Sequence, residues 1–102
     1  MSGIAAYSQV VEAIVDGAAW DETYFSLLSL KAHLQAVPGY QRFDLWARDL
    51  DNGDVKLVVV TNWEQPEQLA LWLEKGVTVD AILRAMQPIP SQLTVDLYEE
   101  II

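Results

Sequence analysis

What most constrains this chain is the order in which its hydrophobic patterns follow one another. Ile4 to Val15 is apolar, with polar interruptions at Ser8, Gln9 and Glu12 and with β-branched residues crowding its second half. That pattern predicts a long first strand ending at Asp16-Gly17. Asp21 offers an N-cap for a helix that runs to about Val37 and is closed by Pro38-Gly39. Arg42 to Asp49 and Val55 to Trp63 flank Asp51-Asn52-Gly53-Asp54. The Asn-Gly step is expected to supply the two positive φ values of a tight turn, so these runs should pair as an antiparallel hairpin. Pro66 suits a first helical turn, and Leu69, Trp72 and Leu73 form the stripe that follows. Gly76 interrupts this stripe. Thr78 can cap a fresh short helix whose Val79, Ile82, Leu83 and Met86 fall at i, i+3, i+4 and i+7. Pro88 and Pro90 end it, and Leu93, Val95 and Leu97 then alternate with Thr94, Asp96 and Tyr98 in a last strand.

Elements in βαββαβ order are the signature of a split βαβ, or ferredoxin-like, unit: an α+β fold whose four-stranded antiparallel sheet carries its helices on one face. The other face is left bare. Val55 to Val60 is almost continuously apolar, which suits a strand buried on both sides and predicts a homodimer. With 102 residues the chain reads as one domain, 1–102, long enough for a single core.

Composition narrows the function classes. Hydrophobic residues make up 52% of the chain, which excludes a disordered segment. No apolar run approaches the ~20 residues that cross a bilayer. Met1-Ser2-Gly3 lacks a basic region followed by an apolar one, so a cytoplasmic protein is expected. There is no Cys, hence no disulfide, thiolate metal site or Cys nucleophile. A net charge of −9 disfavours nucleic acid and anionic membranes as partners, since both call for a positive patch.

Pro38-Gly39-Tyr40 closing the first helix, the hairpin, and then Val58-Val59-Val60-Thr61-Asn62-Trp63-Glu64-Gln65-Pro66-Glu67-Gln68-Leu69 resemble the antibiotic biosynthesis monooxygenase-like family of dimeric α/β barrels. The resemblance covers nearly the whole chain in element order. It implies a homodimer packed sheet to sheet, with a small-molecule cleft in each subunit between sheet and helices. It also implies mixed chemistry: cofactor-free oxygenation of polyketide-like phenols, haem degradation, isomerisation or dehydration. Haem-degrading members carry a His on the second helix and an Asn on the first strand. Here Trp72-Leu73 and Gln9-Val10-Val11 stand in those regions, so the axial ligand is missing and no haem chemistry is expected.

The candidate site residues follow. In the family register Trp63 ends the third strand on the helix-facing side. There it could wall a cleft, stack on an aromatic substrate or take part in one-electron chemistry with oxygen, or it could close the core. Asn62, its neighbour, must point to the opposite face. Placing residues 100° apart puts Tyr24, Leu27, Leu28, Ala32 and Leu34 on one broad helix face, with Glu22, Ser26, Ser29 and His33 opposite. Lys31 and Gln35 fall near the middle of that apolar face. Lys31 could act there as a proton donor or a clamp for an acidic phenol, or it could snorkel to water. Lys31 and Trp63 are thus the catalytic candidates, and Tyr7, Tyr24, Gln35 and Trp72 the substrate-binding ones. His33 lies on the polar face, and a lone His makes no metal site. Arg42, Asp44, Trp46 and Arg48 share one face of the second strand, where ion pairs at a surface or interface are the ordinary outcome. No Gly-rich phosphate loop, Ser-His-Asp order or metal-ligand cluster is visible.

The leading expectation is a cofactor-independent monooxygenase-like enzyme acting on a small aromatic molecule. A non-redox isomerase or cyclase, and a non-catalytic dimeric module that binds a small ligand or only assembles, are the alternatives.

Overall fold

The computed structural model describes residues 7–101. The expected start of the first strand at Ile4, and the Met1-Ser2-Gly3 stretch, lie outside them. In chain order the elements are β1 (Tyr7–Val15), a 3-10 turn (Gly17–Ala19), α1 (Trp20–Leu34), β2 (Tyr40–Asp49), β3 (Val55–Trp63), α2 (Pro66–Lys75), α3 (Val79–Arg84) and β4 (Ser91–Glu99). The strands form one four-stranded sheet in the order β2-β3-β1-β4, and all neighbours run antiparallel. This is the ferredoxin-like arrangement read from the sequence. Among the described residues no helix is long and apolar enough to cross a membrane.

Strand alternation divides the sheet into two faces. Gln9, Val11, Ala13 and Val15 of β1 and Val55, Leu57, Val59, Thr61 and Trp63 of β3 are buried beneath the helices. The intervening residues are only half-buried, and Val10, Ile14, Val58 and Val60 make an apolar centre on the face without helices. Trp46 lies opposite Val58 on that face and is 65% exposed. Helix cover is uneven on its own side too: Val95 and Leu97 of β4 pair with Val11 and Gln9 yet are 38% and 58% exposed.

Several local expectations are corrected. The helix does not begin with an Asp21 cap. Asp16 accepts from the Ala18 N–H at 2.8 Å and caps the 3-10 turn, and α1 then starts at Trp20 with Asp21 and Glu22 in its first turn. The helix ends at Leu34 rather than Val37. In the hairpin only Gly53 has a positive φ, 91°; Asn52 does not. Leu50 N–H donates to the Asp54 carbonyl and Gly53 N–H to the Leu50 carbonyl. The loop therefore has three residues, in which one left-handed glycine is enough. The Asn52 side chain instead accepts from the Asp54 N–H at 3.0 Å. The break at Gly76 is present, and the Thr78 hydroxyl accepts from Ala81 N–H at the start of α3.

The largest correction concerns α1. Its buried stripe is Thr23, Leu27, Leu30 and Leu34, while Tyr24, Leu28, Lys31, Ala32 and Gln35 are exposed. Thr23 was the missing member of the true stripe. Its hydroxyl donates to the Ala19 carbonyl at 2.8 Å, and that bond allows a polar residue into the core. The stripe turns by roughly one residue, and Lys31 and Gln35 move from mid-face to its flank.

Candidate functional site

The sequence-derived candidates fall into two separate places. The first lies between the end of β3 and α2. Trp63 is 0% exposed and Trp72 is 4% exposed, and their rings stack with centroids 4.9 Å apart. Tyr40 meets Trp63 edge-on at 6.1 Å. Both indole N–H groups are satisfied: Trp63 Nε1 donates to Thr61 Oγ1 at 3.1 Å, and Trp72 Nε1 to the Val77 carbonyl at 3.1 Å. The second bond draws the chain after α2 tightly over the ring, where a Cβ at Gly76 would run into Trp72. The two indoles thus fill the space between sheet and α2. Tyr7 stands opposite Trp63 in the β1–β3 ladder and packs on this core.

The second place is a groove of about 300 Å³ between α1 and β2, lined by Tyr24, Leu28, Lys31, Phe43, Asp44 and Leu45. It brings Lys31 and Tyr24 together. Asp44 borders the groove only through β2: its side chain lies on the other face of the strand, opposite Val60, and holds Arg42 Nε at 2.8 Å. Gln35 stands one turn beyond Lys31 and donates from Nε2 to the Tyr40 hydroxyl at 3.5 Å. Burial and the Asp44 carboxylate push the Tyr40 phenol above its ordinary value of 10.0, against the Gln35 bond, which favours the phenolate. An aromatic and aliphatic floor with an ammonium at its rim suits a small ring bearing an anionic or hydroxyl oxygen. Trp63, Trp72 and Tyr7 do not line it.

One buried residue was not among the site candidates. Gln9 is 1% exposed on the helix face, opposite Thr61, and its Oε1 has no hydrogen-bond partner. The signal was present in the sequence: a glutamine breaks the alternation Val11, Ala13, Val15 on the core side. Asn62 points to the bare face as expected and accepts from the Ser8 hydroxyl. His33 is exposed, at the rim of a groove shared with Val37, Leu71, Trp72 and Lys75. Among the described residues no three His, Cys, Asp or Glu side chains cluster closely enough to hold a metal ion.

No protein-family model matches the sequence, and no curated protein does either. Solved structures do. A "putative antibiotic biosynthesis monooxygenase" from Nitrosomonas europaea superposes with a TM-score of 0.70 at 14% identity, covering 94% of this chain and 90% of that one. A heme-degrading protein from Mycobacterium tuberculosis, heme-free, gives 0.68 at 17% identity over 97% and 94% of the two chains. A second "putative antibiotic biosynthesis monooxygenase", from Caulobacter crescentus, gives 0.66 at 16% over 96% and 92%. These likenesses bear out the family resemblance at the level of the fold: the chain has the ferredoxin-like α+β fold of structures described as antibiotic biosynthesis monooxygenases.

Proposed function

We propose that this chain works as a homodimer assembled through its bare sheet face, each copy binding a small aromatic molecule in the α1–β2 groove. The observation that carries the binding reading is the Trp63–Trp72 stack. It fills the space between sheet and α2, so a ligand is sought elsewhere, and the groove at Tyr24 and Lys31, of about 300 Å³, pairs an aromatic wall with an ammonium. In that groove Lys31 clamps an oxygen of the ligand, and Tyr24 and Phe43 flank its ring. Lys31→Met tests this. Losing one charge-assisted hydrogen bond weakens binding of a phenol such as a hydroxybenzoate by about ten- to a hundredfold. Thermal stability should stay unchanged, since Lys31 is exposed. Unaltered phenol binding in Lys31→Met contradicts the assignment.

A second reading, the cofactor-independent monooxygenase, is favoured by the buried Gln9 Oε1, an acceptor without a donor. In that reading a phenol with one hydroxyl already ionised by solvent enters beside Trp63 while a second hydroxyl donates to Gln9. Its ring carbon gives an electron pair to O2, forming a C–O bond to a peroxide that takes back one proton and loses water to leave the quinone. Oxygen consumption by the wild type with electron-rich phenols, abolished in Gln9→Leu, supports the enzyme. Turnover without oxygen points to an isomerase or cyclase, and no turnover leaves the binding module.

A further inference from the structure

We infer that Glu12 of one copy pairs across the sheet-to-sheet interface with the Lys56–Arg48 corner of the other copy, so that the bare face recognises itself by charge as well as by apolar fit. This rests on the dimer proposed above.

The strand registers place the charges. Glu12 sits opposite Val58 near the middle of the bare face, one diagonal step from Lys56, which lies between Ile14 and Arg48. Glu12, Arg48 and Lys56 rim one shallow hollow over Val58. Across the same face, Asp44 lies opposite Val60 and Asp96 opposite Val10, while Arg42 is opposite Asn62. Three acidic and three basic side chains therefore share this face. The chain as a whole carries fifteen acidic and six basic residues, so the bare face holds half of its lysines and arginines and is neutral on a chain of charge −9. Two such chains repel one another over most of their surface. This is a face on which they need not.

Among the described residues only two ion pairs lie within 4.0 Å, Arg42–Asp44 and Arg84–Asp80, and neither involves Glu12, Lys56 or Arg48. Seating a second sheet over Val10, Ile14, Val58 and Val60 would take Glu12 out of water. A carboxylate taken out of water needs a cationic partner, and the second copy's Lys56–Arg48 corner offers one. In a two-fold interface each copy offers both halves of the pair, Glu12 and the Lys56–Arg48 corner, and the contact is made twice.

Reciprocity makes the test decisive. Sedimentation equilibrium is run on the wild type, on Glu12→Lys, on the double variant Lys56→Glu/Arg48→Glu, and on an equimolar mixture of the two variants, after circular dichroism has shown each to be folded. Each variant alone sets like charges against like, so its dimer dissociation constant should rise about tenfold or more. In the mixture every pair is restored between copies, so a heterodimer as tight as the wild-type dimer should form. Variants that dimerise as tightly as the wild type overturn the inference while leaving the dimer standing. Variants that stay weak when mixed also overturn it, because a pair made within one chain cannot be restored by mixing. A monomeric wild type removes the dimer reading itself. If Glu12→Lys does not fold, Glu12→Gln and Lys56→Gln form a double-mutant cycle, in which additive losses overturn the pairing and non-additive losses support it.

Discussion

The two faces of this sheet are made from the same strands, yet only one of them is finished. Under the helices, Val11, Leu57, Val59 and Trp63 are 0% exposed and pack with Leu27, Leu34 and Leu83 into one core. On the other face the alternating residues Val10, Val58 and Val60 are equally apolar, but they stop at half-burial and Trp46 stands in solvent. A monomer that ended its folding here would expose a contiguous apolar centre of the kind that marks an interaction surface. The hydrophobic run of β3 thus supplies two apolar faces in alternate residues, one closed within the chain and one left half-buried.

Adjacent substitutions on β3 should separate the two faces most strongly. Leu57→Asp places a charge in the closed core and should abolish cooperative folding, because an unpaired buried carboxylate costs several kcal/mol. One residue along, Val58→Asp should keep the native circular dichroism spectrum and abolish the proposed dimer. Trp63→Ala comes next: removing a stacked, fully buried indole should lower stability by about 3–5 kcal/mol in urea unfolding. A loss under ~1 kcal/mol would mean that the space beside Trp72 is not tightly filled. Thr78→Ala removes the α3 cap and should cost about 1 kcal/mol. The smallest effect is at Tyr40. Folding raises its phenol above 10.0, chiefly by burial and then by Asp44, so the fold favours the protonated form. That contribution is whole below pH 10.0 and is lost as pH rises through the raised value. Tyr40→Phe should therefore flatten the alkaline limb of the stability curve; an unchanged limb would assign it to other groups.

Much of this architecture was legible because period-2 and period-3.6 patterns are set by the backbone. The opposite facing of Asn62 and Trp63 follows from that, while the hairpin, the helix break at Gly76 and the Thr78 cap follow from turn and capping chemistry. The misreadings at Thr23, Asp16 and Asn52 have a common cause, a side chain that satisfies its own polar group locally. Thr23 returns its hydroxyl to Ala19, so a residue counted as polar is buried and the whole α1 stripe turns, carrying Lys31 and Gln35 outward. Asp16, not Asp21, takes the capping position because a 3-10 turn precedes α1, which periodicity does not reveal. The candidate site was less legible than the fold. Phe43 and Leu45 join Tyr24 and Lys31 only through the approach of β2 to α1, a tertiary fact. The close stacking of Trp63 on Trp72 is equally invisible in a linear pattern.

The most direct test of the account is the mass of the wild-type chain in solution, measured beside that of Val58→Asp. The account predicts a wild-type particle of twice 11.4 kDa at micromolar concentration and a folded Val58→Asp particle of 11.4 kDa. A folded wild type that sediments at 11.4 kDa would contradict it.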